Sequence, residues 1–125
     1  GGNVLAVQTV PRELTKQYGI VEVNGEHEKC PTIRSIVEKP DPQVAPSTMA
    51  VIGRYVLEPE IFDSLRKIDR GAGGEIQLTD AIAREIPKGK TVACKYDGER
   101  FDCGSKQGFL NATVHYARKE GYRII

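Results

Sequence analysis

The chain has 125 residues, a length that suits one compact domain or one part of a larger one. At 39% hydrophobic and 28% charged it falls among ordinary soluble globular proteins, and 18 Lys plus Arg against 17 Asp plus Glu leave a formal charge of +1, so it has no electrostatic footprint for nucleic acid or an anionic membrane. No apolar run reaches the length of a membrane span, Gly1-Gly2-Asn3 opens without a secretory leader, and Cys30, Cys94 and Cys103 lack C-x-x-C spacing, so the expectation is a cytoplasmic chain with reduced thiols and neither a disulfide framework nor a zinc site.

Val4 to Val10 (VLAVQTV) is rich in valine and closes at Pro11, which predicts a buried strand. Pro11 to Gln17 follows as a short polar turn or helix, and Tyr18 to Val23 (YGIVEV) as a second strand. That strand runs into Asn24-Gly25, which accepts the positive φ of a tight hairpin, and the return strand spans Thr32 to Glu38 and ends at Lys39-Pro40. Pro42 and Pro46 deny two backbone donors and predict an exposed loop from Asp41 to Ser47. Met49 to Leu57 is a predicted central strand in which Gly53 marks a bulge or a close backbone approach.

Pro59 suits the first position of a helix whose Ile61, Phe62, Leu65 and Ile68 make one buried face. Gly71 to Gly74 end that helix and open a loop. A second helix is expected from Thr79 as N-cap, with Ile82 and Ile86 inward and a stop before Pro87. Thr91 to Tyr96 is another strand by alternation. A turn at Asp97-Gly98 then leads to a short strand, Arg100 to Cys103, and Gly104-Ser105 opens the last helix. In that helix Phe109, Thr113, Tyr116 and Ala117 share a face read as core, and Gly121 is the terminator. Strands interleaved with helices predict an α/β fold with a mixed sheet, one unit over residues 1–125. A first strand at the very start of the chain suits a cut through a larger α/β sheet, and equally a small complete domain.

Two constellations can carry chemistry. At Val37-Glu38-Lys39-Pro40 a strand delivers an acid and a base to its carboxyl end, where open α/β sheets gather ligands; a carboxylate there accepts sugar hydroxyls and an ammonium meets phosphate. The alternative is a solvated strand end. At Phe101-Asp102-Cys103-Gly104, Asp102 is either a Mg2+ ligand beside a phosphate or a turn residue and cap. Gly71 to Gly74 match no phosphate-cradle pattern and read as a helix-to-helix connection. Gly19 either lets a ligand approach the backbone or forms a bulge. His27 and His115 have no nucleophile at useful spacing and read as exposed or satisfied.

Taken in order, Lys16-Gln17-Tyr18-Gly19-Ile20-Val21, Ile36-Val37-Glu38-Lys39-Pro40, Ala50 to Leu57 (AVIGRYVL), Gly73 to Ala81 (GGEIQLTDA) and Arg100 to Gly104 (RFDCG) resemble the sugar nucleotidyltransferases, a Rossmann-like α/β class. The glutamate-lysine-proline piece resembles the whole class, and GGEIQLTDA resembles the bacterial UTP-glucose-1-phosphate uridylyltransferases. The resemblance implies an enzyme that joins UTP to glucose-1-phosphate, giving UDP-glucose and pyrophosphate, with Mg2+ as cofactor and a homo-oligomeric assembly. It implies that Glu38 binds glucose hydroxyls, that Lys39 approaches the sugar phosphate, and that Gly19 and, less directly, Gly53 line the sugar pocket. Asp102 would bind Mg2+ together with a second aspartate.

The glycine-rich G-x-G-T-R-x-x-P-x-T-K signature of that class, which holds the triphosphate and uracil, is absent from these residues, as is the second metal-binding aspartate. The expectation is therefore that the chain holds the sugar side of the site and does not turn over alone. Glu38, Lys39 and Asp102 are expected to face a solvent-filled pocket with no structural partner to lose. The competing readings are a sugar nucleotidyltransferase of another base specificity, such as a thymidylyltransferase, and a non-catalytic sugar-phosphate-binding or assembly module.

Overall fold

The computed structural model describes residues 1–25 and 27–124. Five strands form one mixed sheet: β1 (Asn3–Thr9), β2 (Gly19–Asn24), β3 (Thr32–Glu38), β4 (Met49–Val56) and β5 (Thr91–Lys95). They close a circuit in the order β1-β4-β2-β3-β5 and back to β1. β1 pairs in parallel with β5 and antiparallel with β4, and the remaining pairings are antiparallel. The helices are α1 (Ile61–Lys67), α2 (Leu78–Glu85) and α3 (Lys106–Lys119). The mixed α/β architecture is the one the alternating patterns predict. No helix among the described residues is long and apolar enough to cross a membrane.

The pleat sorts the strand residues. On β1, Leu5 and Val7 point into the core and are fully buried, and from β5 Ala93 joins them. β3 breaks the two-residue period, since its buried residues are Ile33 and Ile36. The cause is a bulge: Glu22 faces Ser35 while Val23 faces Ile33, so Arg34 is the extra residue and the inward phase shifts by one. α1 and α2 cover the core with Ile61, Ala81 and Ile82. Each such Leu or Ile contributes roughly 1.5–3 kcal/mol by leaving water.

Several local expectations give way to tertiary context. β2 and β3 do pair antiparallel, but β2 ends at Asn24 and β3 begins at Thr32, so the connection is longer than a tight hairpin; Gly25 does take a positive φ of 74°. Pro59 lies in the turn before α1, and Glu60 is the N-cap. Phe62 is 61% exposed, because in so short a helix the buried arc holds Ile61 and Ser64 and Phe62 lies beyond its edge. The N-cap of α2 is Gln77, which places Thr79 inside the first turn. Arg100 to Cys103 form no strand, since the sheet circuit already closes without them. α3 buries none of its residues, and Phe109 and Tyr116, read as core, are 63% and 54% exposed. Its ends are built as expected: the Ser105 side chain accepts from the Gly108 N–H, and Gly121 takes a φ of 82° just after the last turn. The loop at Gly71 to Gly74 is closed by its own bonds, including Gly71 N–H to Glu75 O at 2.8 Å, and connects helix to helix.

Glu85 is the one buried carboxylate among the described residues. It accepts a hydrogen bond from Ser64 Oγ on α1 and pairs with Lys88 at 2.5 Å. Lys88, then Ser64, hold its carboxyl below the ordinary glutamate range. A carboxyl depressed in the folded state contributes stability above its unfolded pKa of about 4.3. That stability is lost as pH falls through the folded value. Glu85→Gln is therefore expected to flatten the acid limb of stability by lowering the neutral-pH urea midpoint while leaving the midpoint in acid close to that of the parent. Urea titrations at a series of pH values check this, and an unchanged acid limb refutes it.

Candidate functional site

The carboxyl end of β3 and the start of β2 meet in register, with Gly19 directly opposite Glu38. Glu38 is half-buried, and its Oε2 accepts a hydrogen bond from Thr79 Oγ1, on the first turn of α2, at 2.6 Å. This bond fixes the carboxylate across the gap between sheet and helix. It also corrects the expectation that Glu38 has no structural partner. A Cβ on residue 19 would stand 3.2 Å from Glu38 Oε2 and 3.6 Å from Thr79 Oγ1, so only glycine leaves that carboxylate face open.

Around this pair lies a cleft of about 360 Å³ whose walls include Gly19, Glu38, Gly53, Tyr55, Thr79 and Arg100. Gly53 reaches it through a bulge. Leu5 faces Tyr55 and Val7 faces Val51, so three β4 residues oppose Ala6 alone, and Gly53 takes a φ of 78°. No heavy atom lies within 4 Å of a Cβ built there, so backbone conformation rather than close approach is what calls for glycine. Burial, and secondarily the Glu38 carboxylate, push the Tyr55 phenol up, so it stays a hydrogen-bond donor at neutral pH. The Arg100 guanidinium lies 5.2 Å from the centre of the Tyr18 ring and donates to Tyr18 Oη at 3.4 Å.

Lys39 follows Glu38, and its N–H donates to Tyr18 O at 2.9 Å. Its φ of 48° makes it the only non-glycine residue in the left-handed region among the described residues. Such a conformation is costly for a residue with a Cβ, and it turns the chain out of the strand just before Pro40. The Lys39 side chain is exposed beside the cleft, outside its wall.

Asp102 lies in a second cleft, of about 420 Å³, which shares Ile52 and Arg100 with the first. It is exposed, and its Oδ1 accepts the Gly104 N–H at 3.0 Å, as a turn residue does. Among the described residues no group of three His, Cys, Asp or Glu side chains could hold a metal. α3 meets this turn at close range: a Cβ on Gly108 would stand 1.8 Å from Asp102 O, so Gly108 is required for the contact. His115 is satisfied, with Nδ1 at 3.0 Å from Glu99 and its ring against Phe101 and Tyr116.

The structure thus brings Gly19, Glu38 and Gly53 into one cleft, sets Lys39 at its edge and places Asp102 in the neighbouring cleft. Sequence reasoning missed Thr79, Tyr55, Arg100 and Gly108 as parts of this region. Thr79 carried a signal, since it lies in GGEIQLTDA, but a Thr at a helix start reads as a cap. Tyr55 and Arg100 carried the same kind of signal, in AVIGRYVL and RFDCG, but there they read as strand residues, and Gly108 had no pattern that separates it from an ordinary helix position.

A family model described as nucleotidyl transferase matches residues 2–119. The UTP–glucose-1-phosphate uridylyltransferase of Komagataeibacter xylinus is 54% identical over 106 residues, which are 85% of this chain and 37% of that protein. A crystal structure of UDP-glucose pyrophosphorylase complexed with UDP-glucose superposes with a TM-score of 0.88 at 36% identity, over 94% of this chain and 45% of the other. The UTP-bound UGPase of Acinetobacter baumannii gives a TM-score of 0.79 at 40% identity, over 94% and 40%. The chain spans about two-fifths of the length of the curated relatives it matches.

Proposed function

The chain belongs to the nucleotidyl transferase family, and from that premise we propose that it forms the sugar-phosphate side of an enzyme making UDP-glucose and pyrophosphate from UTP and glucose-1-phosphate. The observation that carries this reading is the Glu38 carboxylate, held by Thr79 at 2.6 Å over a glycine-floored cleft. A carboxylate with one oxygen anchored and its face uncovered is an acceptor for sugar hydroxyls.

In the reaction an oxygen of the glucose-1-phosphate phosphate attacks the α-phosphorus of UTP, and pyrophosphate leaves as that bond forms. No protein nucleophile is needed, so the protein contributes positioning and charge neutralisation. Glu38 orients the glucose ring, with Gly19 leaving room for it. Lys39, at the cleft edge, offsets the repulsion between two anions that must approach closely. Asp102 fits Mg2+ as a single ligand: this ion accepts one or two carboxylates with phosphate oxygens and water completing its shell. Bound there, Mg2+ would offset charge on the α-phosphate.

The proposed compartment is the cytoplasm, whose reducing poise suits three thiols that are free at rest. The proposed assembly is a homo-oligomer, for which the exposed Phe109, Leu110 and Tyr116 of α3 supply apolar surface.

The test assays the protein that carries these 125 residues with glucose-1-phosphate and either UTP or dTTP. UDP-glucose formation preferring UTP is expected, and a preference for dTTP or absence of turnover overturns the reading. In the same assay Asp102→Asn keeps the side-chain shape and removes its charge, so its defect should be partly relieved by raised Mg2+. A defect indifferent to Mg2+ returns Asp102 to the role of a turn residue.

A further inference from the structure

Two of the three cysteines, 64 positions apart in the sequence, meet across the sheet. β3 and β5 pair antiparallel with Thr32 opposite Val92, and the same register carried two residues along places Cys30 opposite Cys94. Hydrogen bonds on both sides continue that ladder. Ala93 N–H donates to Pro31 O at 2.9 Å, and Lys95 N–H donates to Lys29 O at 3.2 Å. The bonded pairs are thus 31 with 93 and 29 with 95, so Cys30 and Cys94 form the non-hydrogen-bonded pair between them, the kind whose side chains approach closest. Such a pair has Cα atoms about 4.5 Å apart, within the roughly 4.4–6.8 Å that a disulfide spans. Cys30 is exposed and Cys94 half-buried, so a small oxidant can reach the pair. The neighbouring Cys94 thiol is also the main influence that raises the Cys30 thiol above its ordinary range.

We propose that Cys30 and Cys94 are a modification site for low-molecular-weight disulfides, which convert the pair into a reversible cross-strand disulfide tying residues 29–31 to β5. The thiolate of one cysteine attacks a sulfur of the oxidant, forming a mixed disulfide and expelling one thiolate. The second cysteine's thiolate then attacks the protein sulfur of that mixed disulfide and expels the other half of the oxidant. Two protein thiols lose two electrons and two protons, and the oxidant leaves as two thiols. Cys103, on the turn before α3, stays free. The bond closes a long loop, which restricts the unfolded chain more than a short one does.

The test treats the chain with oxidised glutathione at mildly alkaline pH and reads thiol titre, intact mass and a non-reducing peptide map. The expected result is a fall from three free thiols to one, loss of two hydrogens in mass, and a single linked peptide joining Cys30 to Cys94, all reversed by dithiothreitol. The oxidised form should melt roughly 10 °C higher than the reduced form. Cys103→Ser should retain the whole effect, and Cys30→Ser and Cys94→Ser, measured separately, should each abolish it. Stable glutathione adducts on single cysteines, or a linkage through Cys103, overturn the proposal.

Discussion

Lys39→Ala in the protein that carries this chain is expected to lower kcat for UDP-glucose formation by roughly 100- to 1,000-fold, the cost of removing one preorganised charge-stabilising group. The KM for glucose-1-phosphate should move far less, because the charge matters most as the two anions close on each other. The backbone provides a control. Lys39 holds a φ of 48°, a conformation that glycine adopts without cost. Lys39→Gly should therefore fold at least as stably as the parent and be as slow as Lys39→Ala. Steady-state kinetics and thermal melts on both variants check this. A glycine variant of near-normal rate would mean that residue 39 only turns the chain and that its ammonium is uninvolved.

Glu38→Ala is expected to raise the KM for glucose-1-phosphate by about 10- to 100-fold, the range for hydrogen bonds to a charged acceptor. It should also cost stability of about 1 kcal/mol, because Thr79 Oγ1 loses the carboxylate it donates to. Glu38→Gln separates the two effects. Its side-chain oxygen can still accept from Thr79, so stability should recover, while the charge proposed to hold the sugar hydroxyls stays absent and binding stays weak. Calorimetry with glucose-1-phosphate alongside thermal melts provides both readouts. If Glu38→Gln restores full affinity, the site needs an anchored oxygen and not a charge.

The residues that sequence reasoning placed well are those whose role is local. β3 from Thr32 to Glu38 is bounded by an exposed turn and by Lys39-Pro40, both written in the chain. The Ser105 cap and the Gly121 terminator are likewise short-range chemistry. Thr79 shows the limit: its residue type and its place before an apolar helix suit a cap, and only the approach of β3 gives its hydroxyl a carboxylate instead. Phe109 and Tyr116 show another, since helical spacing marks a shared face without saying whether anything packs against it. The facing of Cys30 and Cys94 depends on a strand register that no local pattern records.

The lack of buried residues on α3 has a consequence for how firmness is distributed across the site. Sheet amides around Gly19 and Glu38 sit among core strands, so they open to exchange with deuterium mainly when the whole domain unfolds. α3 is 14 residues long, and isolated helices of about that length are marginal in water. Asp102 is joined to its first turn through Gly108 and Ser105. The Glu38 half of the region, proposed to hold the sugar, is therefore as rigid as the core, and the Asp102 half opens at the lower free energy of a surface helix, on a faster clock.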